Sequence, residues 1–271
     1  MEPHSSPRMR CQSARANASW HRSSQSRFST RRCSTKTSDV TLKPWARELE
    51  TTTDFVRANS KWNASSAEAS RAFSSSAFAW AYDKGYRQAF QALGYGGFDD
   101  EFATAMANLN ANGGIVLDCS CGTGDITRRL ARSKKWDRVV AIDFAEAMCA
   151  RCRARCEGED VDVYRADVAD LPFVDGAFED VHSSAGAHCW GDPERGFEEL
   201  YRVLKRGGAA LVSTVVLLKP IGLEEEYVRT RKANTPFWNA NAVRVMMENA
   251  GFEDVELVVE DRCFVQFRAR K

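Results

Sequence analysis

The stretch Ile115-Val-Leu-Asp-Cys-Ser-Cys-Gly-Thr-Gly-Asp125 decides the fold of this 271-residue chain. A short apolar run leads into two closely spaced glycines, and an amphipathic helical pattern begins at Asp125. Glycines let a backbone turn sharply and approach a ligand closely, and the free amides of the following helix N-terminus favour a negative group. The stretch therefore predicts a buried strand, a tight turn beneath a ligand, and a helix.

A second strand pattern ends at Asp143, 19 residues after Gly124. A carboxylate there is placed to accept hydrogen bonds from two ribose hydroxyls, so the pair indicates a nucleoside-containing cofactor. Dinucleotide sites have a third glycine where this chain has Thr127. Asp118, before the turn, would repel a pyrophosphate but suits a ligand with a positive charge. The residues favour S-adenosylmethionine, with a nicotinamide-dependent dehydrogenase as the remote alternative.

The rest of the chain extends this pattern. From Gly114 onward short apolar runs alternate with helical patterns, which is typical of βαβ units and a mostly parallel sheet. The last two strands must be antiparallel, because only Asp261 and Arg262 connect them. Strands are predicted over residues 115–118, 138–143, 161–165, 179–183, 209–216, 255–260 and 263–268. Helices between them are predicted over residues 125–132, 145–156, 193–204 and 240–249.

Two further helices are predicted before the sheet, over residues 73–93, interrupted near Gly85, and over residues 99–109. We expect them to form a helical cap spanning residues 73–110, within a catalytic domain of residues 73–271. The predicted fold class is α/β: a Rossmann-like, seven-stranded, mostly parallel sheet with an antiparallel last strand, helices on both faces and this N-terminal cap.

The first 38 residues have a different composition from the rest. They contain seven Arg, one Lys and ten Ser against one acidic residue, which is typical of an organelle transit peptide. A disordered basic tail is the alternative, and composition does not separate plastid from mitochondrion. Residues 39–72 are predicted to be a linker.

The charge of the chain argues against a nucleic-acid partner, and its hydropathy argues against a membrane-spanning helix. The 38 basic and 37 acidic residues of the whole chain nearly balance, so nucleic acid is not an expected partner. No run of 18 apolar residues occurs, so no spanning helix is predicted, although peripheral contact with a membrane is left open.

These motifs resemble the class I S-adenosylmethionine-dependent methyltransferases, specifically the type 11 group. The resemblance is carried by residues 116–124, 141–148, 165–173 and 204–208. Residues 81–90 and His188-Cys-Trp190 are similar to plant and algal chloroplast methyltransferases of unassigned substrate. The resemblance implies methyl transfer from S-adenosylmethionine to a small-molecule acceptor in the plastid, with plastid lipophiles among the candidates. A protein that binds this cofactor without transferring a methyl group is the alternative.

The resemblance also implies the cofactor site. The loop from Asp118 to Gly124 would lie under the methionine moiety, Asp143 would bind the ribose, and Asp167 would accept from the adenine amino group. The implied contacts are Asp118, Cys119, Ser120, Cys121, Gly122, Gly124, Asp143, Phe144, Met148, Asp167, Val168 and Ser184. Ser120 departs from the family, in which this position is usually Gly.

His188 is the best candidate for a general base, because it follows the fourth strand at the edge where ligands bind in open α/β sheets. A structural histidine, hydrogen-bonded within the loop, is the alternative. His182 lies inside the strand and is predicted to be a core residue. Trp190 and Trp238 are candidate walls of an acceptor pocket, and residues 235–238 are a candidate lining segment, with simple packing as the alternative.

The cysteines suggest no metal site. Cys149, Cys152 and Cys156 lie on a predicted helix, and no histidine or second cysteine pair completes four ligands. Cys119 and Cys121 are expected to pack as small residues beneath the cofactor.

Overall fold

The computed structural model describes residues 75–83, 85–216 and 239–271. The predicted transit segment 1–38, the predicted linker 39–72 and the candidate lining segment 235–238, which includes Trp238, lie outside the described residues.

Seven strands form one sheet in the order β3-β2-β1-β4-β5-β7-β6. Strand β7 runs antiparallel to both of its neighbours, whereas every other described pairing is parallel, as predicted. The strands are β1 Ile115–Cys119, β2 Arg138–Asp143, β3 Val161–Arg165, β4 Phe178–Ser183, β5 Leu204–Val215, β6 Glu253–Asp261 and β7 Phe264–Arg270.

The helices lie close to their predicted positions. They are α1 Ser76–Asp83, α2 Phe98–Asn108, α3 Asp125–Ser133, α4 Glu146–Arg155, α5 Pro193–Val203 and α6 Ala240–Asn249. Short 3-10 helices cover Tyr86–Leu93, Val168–Asp170 and Ala187–Cys189. Local chemistry explains the helix ends: Asp192 accepts a hydrogen bond from the N–H of Arg195 at the start of α5, and Pro193 occupies the first turn.

Two predicted elements differ from the structure. The helix over 73–93 is interrupted at Gly85, as predicted, where the backbone adopts a left-handed φ of 110°; the difference is that the part after Gly85 is a 3-10 helix. Strand β5 begins at Leu204, five residues before its predicted start. Its first residues include exposed, polar Lys205 and Arg206, so the apolar pattern does not reveal them; pairing with Phe178 at a register irregularity extends the strand.

Helices cover both faces of the sheet. On one face, Phe197 and Leu200 of α5 and Met247 of α6 pack against apolar side chains of β1, β4 and β7. On the other face, Ala105 of α2 and Leu130 of α3 pack against strand residues. Both faces of the central strands β1, β2 and β4 are therefore largely buried, as a parallel sheet requires. None of the described helices is long and apolar enough to cross a membrane.

The end of α2 is fixed to the sheet by the fully buried Asp180 of β4. Its carboxylate accepts from the backbone N–H groups of Asn110 (3.1 Å) and Ala111 (3.0 Å) and from the indole N–H of Trp136 (2.8 Å). A buried carboxylate is tolerated only when it is hydrogen-bonded in this way. Asp180 thereby fixes where α2 crosses the sheet.

Strands β3 and β6 form the two edges of the sheet. Edge strand β6 has the sequence EDVELVVED, in which five of nine residues are acidic and none is basic. Four of those five acidic side chains flank the strand at its exposed ends.

Candidate functional site

The turn after β1 adopts a left-handed backbone at three positions. The φ angles are 60° at Ser120, 54° at Gly122 and 86° at Gly124. Glycine adopts this conformation without a steric penalty, whereas serine does not. A Cβ atom at Gly124 would lie 2.8 Å from the Sγ of Cys152 and 3.0 Å from its Cα. Glycine at this position therefore lets α4 pack directly against the turn.

Asp143 holds this turn from the end of β2. One carboxylate oxygen accepts from the N–H of Gly122 and the other from the N–H of Ala145, both at 2.9 Å. Burial raises the pKa of Asp143 to about 6, although both backbone hydrogen bonds act in the opposite direction. Each oxygen keeps a second lone pair, so the carboxylate is able to accept from two hydroxyls of a ligand.

The predicted adenine-side residues lie along the carboxyl ends of β2 and β3. The guanidinium of Arg165 stacks on the ring of Phe144 at 5.6 Å, and its Nε donates to the Phe144 carbonyl at 3.0 Å. Asp167 accepts from the N–H of Ala169 (2.9 Å), which begins the 3-10 helix that contains the buried Val168. The predicted contacts that follow β2 and β3 thus lie at the carboxyl ends of these two neighbouring strands.

Helix α1 lies over the turn and over α4. Met148 of α4 is buried against Ala79 and Ala145, and Tyr82 packs on the same cluster. A Cβ atom at Gly122 would lie 3.6 Å from the Tyr82 ring. Helix α1 therefore contacts both the turn and α4, and its role as a cap over the cofactor stays a prediction.

Asp118 is placed differently from the expectation that its charge would face a ligand. Its carboxylate is 1% exposed and accepts from the Thr127 hydroxyl at 2.5 Å, while its other oxygen lies 2.8 Å from the Nδ1 of His182. Both oxygens are thus engaged within the protein, because Asp118 and His182 are register partners on β1 and β4. Asp118 fixes the base of the turn, and His182 is a core residue, as predicted.

Ser184 lies just beyond β4 and is bonded within the protein, so its predicted contact with the cofactor stays a prediction. Its hydroxyl donates to the carboxylate of Glu101 on α2 at 2.7 Å. The hydroxyls of Ser213 (2.8 Å) and Tyr95 (3.2 Å) donate to the same carboxylate. Glu101 is buried and gathers three hydroxyl donors, so it fastens α2 to the carboxyl ends of β4 and β5.

Sequence reasoning missed Glu101. It belongs to the acidic run at residues 99–101, which suits any helix N-terminus, and nothing in the local pattern separates it from its exposed neighbours. Its partners Ser184 and Ser213 lie 83 and 112 residues away along the chain. Only the folded sheet brings them together.

His188 lies just beyond β4, as predicted, and the structure places it on the 3-10 helix Ala187–Cys189. Its side chain is 8% exposed, and both its backbone N–H (3.1 Å) and its Nδ1 (3.3 Å) lie within hydrogen-bond distance of the Thr214 hydroxyl. The histidine is therefore oriented by β5, and its role as a base stays a prediction.

Trp190 forms a direct contact with the cofactor turn. Its indole N–H donates to the Ser120 hydroxyl at 3.0 Å, and its ring packs edge-on against Phe197 at 5.2 Å between centroids. The residue predicted as a candidate pocket wall thus packs against α5 and bonds to the turn.

The cysteines pack as apolar residues. Cys121, Cys152 and Cys156 share one buried cluster with Ala141 beneath the turn. Burial raises the pKa of the Cys119 and Cys149 thiols, which makes them unreactive. Within residues 75–83, 85–216 and 239–271, no group of three or more His, Cys, Asp or Glu side chains is arranged to hold a metal ion.

Comparisons with known proteins agree with this geometry. Residues 116–208 match a family model described as a methyltransferase domain. An uncharacterized chloroplastic methyltransferase of Arabidopsis thaliana is 31% identical over 209 residues, covering 73% of this chain and 59% of that protein. A chloroplastic 2-methyl-6-phytyl-1,4-hydroquinone methyltransferase of Spinacia oleracea is 30% identical over 172 residues, covering 58% of this chain and 44% of that protein.

Two solved structures show the fold. A chain from the complex of the Haloferax volcanii methyltransferase activator Trm112 with its methyltransferase superposes with a TM-score of 0.55 and 20% identity, covering 72% of this chain and 96% of its own. The cyclase SpnF superposes with a TM-score of 0.54 and 22% identity, covering 64% of this chain and 80% of its own.

The glycine turn, the carboxylate after β2 and the seven-stranded sheet define a class I S-adenosylmethionine-dependent methyltransferase fold. Residues 116–208 of the chain carry a methyltransferase domain, and the chain is similar to the uncharacterized chloroplastic methyltransferase of Arabidopsis thaliana. It spans about three-fifths of the length of that relative.

We expect Glu101→Ala to lower the free energy of unfolding by about 3 kcal/mol, because three buried hydroxyls lose their acceptor. Urea unfolding measures the loss, and hydrogen exchange should show α2 opening first. The matched control is Glu146→Ala, which removes an exposed carboxylate paired with Arg153 and should cost under about 0.5 kcal/mol. Equal losses in both variants would contradict the anchoring role of Glu101.

Proposed function

We propose that this protein transfers a methyl group from S-adenosylmethionine to a small-molecule acceptor. The observation that carries the proposal is the Asp143 carboxylate, which joins the glycine turn after β1 to the start of α4 at the carboxyl edge of the sheet. Ligands bind at this edge in open α/β sheets. The chain thus combines a carboxylate for ribose hydroxyls with a turn that admits close backbone approach.

The described residues fit this cofactor. Asp143 would hold the ribose, the backbone of residues 120–124 would lie under the methionine moiety, and Asp167 would accept from the adenine amino group. Phe144 and Val168 would contact the adenine, with Phe144 oriented by Arg165. The buried Asp118 and Ser184 would position the turn and α2 through their protein partners and make no direct contact.

S-adenosylmethionine supplies a methyl group on a sulfonium, which is displaced in line by the acceptor. The chain has to hold the two reactants in line and exclude water. Helix α1 over the turn and α2 over the ends of β4 and β5 are placed to do this. His188 would accept a proton where the acceptor must lose one, with its ring held by Thr214.

The proposed acceptor is a small plastid metabolite, with lipophilic hydroquinones as the first class to test. The chain is similar to a methyltransferase named for such a hydroquinone, and both relatives reported above are named as chloroplastic. The basic, serine-rich residues 1–38 support import into the plastid.

We expect Asp143→Ala to weaken binding of S-adenosylmethionine at least a hundredfold without unfolding the chain, because two charge-assisted hydrogen bonds are lost. Isothermal titration of the full chain measures this, with NAD as the competing candidate. Asp162→Ala is the control, since that carboxylate pairs with Arg138 on β2 away from the turn. Unchanged affinity in Asp143→Ala would disprove the ribose assignment, and binding of NAD alone would disprove the function.

Cofactor affinity should fall with acidity because the pKa of Asp143 is about 6. Above this pH the carboxylate is ionised and accepts strongly from hydroxyls; below it, the protonated group loses the charge assistance, so affinity should drop by up to tenfold per pH unit. Titrations between pH 5 and 8 measure the slope. Asp143→Asn should bind the cofactor weakly, and its affinity should show no change near pH 6. If the affinity of that variant still changed near pH 6, a group other than Asp143 would cause the pH dependence.

We expect His188→Ala to lower turnover at least tenfold while cofactor affinity changes less than twofold, because the imidazole lies on the acceptor side of the turn. Transfer of a labelled methyl group to plastid lipid extract gives the rate, and titration gives the affinity. A fully active variant would make His188 structural. Cofactor binding by the unaltered chain with no transfer to any acceptor would favour the non-methylating alternative.

A further inference from the structure

A side-chain hydrogen bond joins the cofactor turn to the loop after β4. The indole N–H of Trp190 donates to the Ser120 hydroxyl at 3.0 Å. Ser120 lies in the turn after β1, and Trp190 closes the loop that contains His188. The bond thus connects the part of the site assigned to the cofactor with the part assigned to the acceptor.

Ser120 makes this bond from an unfavourable backbone conformation. Its φ of 60° lies in the left-handed region, where glycine would be relaxed and serine is not. In the loop after β4, Ala185 also adopts a left-handed φ of 45°. Strained residues persist where the surrounding structure holds them, and they concentrate at functional sites. Glycine would adopt this backbone conformation without strain. The contribution of serine at this position is therefore its hydroxyl, which accepts the bond from Trp190.

Two glycines leave room for this pair. A Cβ atom at Gly186 would lie 2.6 Å from both the Cβ and the Oγ of Ser120. A Cβ atom at Gly196 of α5 would lie 2.8 Å from the Trp190 ring. The backbone of each glycine is therefore in direct contact with the hydrogen-bonded pair, and the loop fits against the turn without a gap.

The other side of the loop is fixed to β5. The N–H of Ala185 donates to the Ser213 hydroxyl at 2.7 Å, and the N–H of His188 donates to the Thr214 hydroxyl at 3.1 Å. Strand β5 therefore anchors the start and middle of the loop, and Ser120 anchors its end. A shift of the cofactor turn can reach His188 through the Trp190 bond.

We propose that Ser120 and Trp190 couple occupancy of the cofactor turn to the order of the acceptor-side loop, residues 185–190. This inference rests on the proposed function. Ser120 acts as a positioning residue: by holding Trp190 against the turn, it places His188 beside the donor. Because coupling is reciprocal, a bound acceptor that orders the loop would also tighten cofactor binding.

Hydrogen exchange of the full chain with and without S-adenosylmethionine tests the coupling. In the unaltered protein, the cofactor should slow exchange at residues 119–124 and, by about fivefold, at residues 185–190. By keeping the turn in place it makes the Trp190–Ser120 hydrogen bond persistent, and about fivefold is what one hydrogen bond contributes. In Ser120→Ala and Trp190→Phe the slowing at 185–190 should disappear, and the double variant should match either single variant. Slowing at 119–124 should persist in Trp190→Phe.

Trp136→Phe is the matched control. Its indole N–H donates to Asp180 at 2.8 Å beyond the opposite end of the sheet, so it loses a comparable buried hydrogen bond. Its cofactor-dependent slowing at residues 185–190 should equal that of the unaltered protein. Loss of the slowing in this control as well would show a general loss of stability and would overturn the proposal.

A steric pair of variants gives an independent test. Gly186 has an ordinary φ of −105°, so Gly186→Ala introduces no backbone strain, and the atoms nearest to its added Cβ belong to Ser120 and Trp190. It should separate the two loops and abolish the slowing at 185–190. Adding Ser120→Gly removes the contact with Ser120 and should restore unfolding stability, but not the coupling, because the hydroxyl is still missing. Coupling in this double variant would contradict the role of the bond.

The outcomes separate the two proposals. Cofactor protection at neither segment of the unaltered chain would overturn the proposed function, and this inference with it. If the cofactor slowed hydrogen exchange in Trp190→Phe at both residues 119–124 and residues 185–190, the proposed coupling would be wrong, but the proposed function would stand.

Discussion

The carboxylate of Asp143 is the interaction on which the site depends, because it accepts from the backbone of two turns that follow different strands. Burial raises its pKa from 3.8 to about 6. The folded chain therefore binds this proton more strongly than the unfolded chain, and Asp143 contributes stability at low pH that is lost as pH rises through about 6. At neutral pH Asp143 is ionised although it is buried, and this lowers the stability of the fold. Hydroxyl groups of a ligand that donate to the carboxylate would offset this loss.

Much of the architecture follows from local sequence. The βαβ alternation, the glycine turn and the two-residue connection before β7 predict the sheet and its single antiparallel strand, since each depends on residues close together in the chain. The predicted start of a strand is wrong where its first residues are polar, as at Lys205 and Arg206 of β5. The anchoring pairs could not be predicted, because Trp190 reaches Ser120 across 70 residues and Ser213 reaches Glu101 across 112. Such pairs depend on which strands become neighbours.

The direction of side chains was the other unpredictable feature. The sequence places Asp118 and Ser184 at the correct edge of the sheet, yet each carboxylate or hydroxyl is used by the protein itself. Alternation along a strand sends the side chains of Asp118 and His182 to the face covered by α2 and α3, where Asp118 bonds to Thr127 below the turn. The cyclase SpnF shares this fold at a TM-score of 0.54, which shows that the sheet alone does not determine a reaction. The chemistry depends on the loops and helices above its carboxyl edge.

Strand β6 has a consequence for how copies of this chain meet in solution. An edge strand exposes unpaired N–H and C=O groups that can recruit another strand, and continued addition builds an aggregate. On β6 five acidic side chains occupy nine positions with no basic residue among them. Two such edges brought together would set like charges opposite each other at strand spacing, which is destabilising. Electrostatic repulsion thus opposes the pairing of two β6 edges from different copies of the chain.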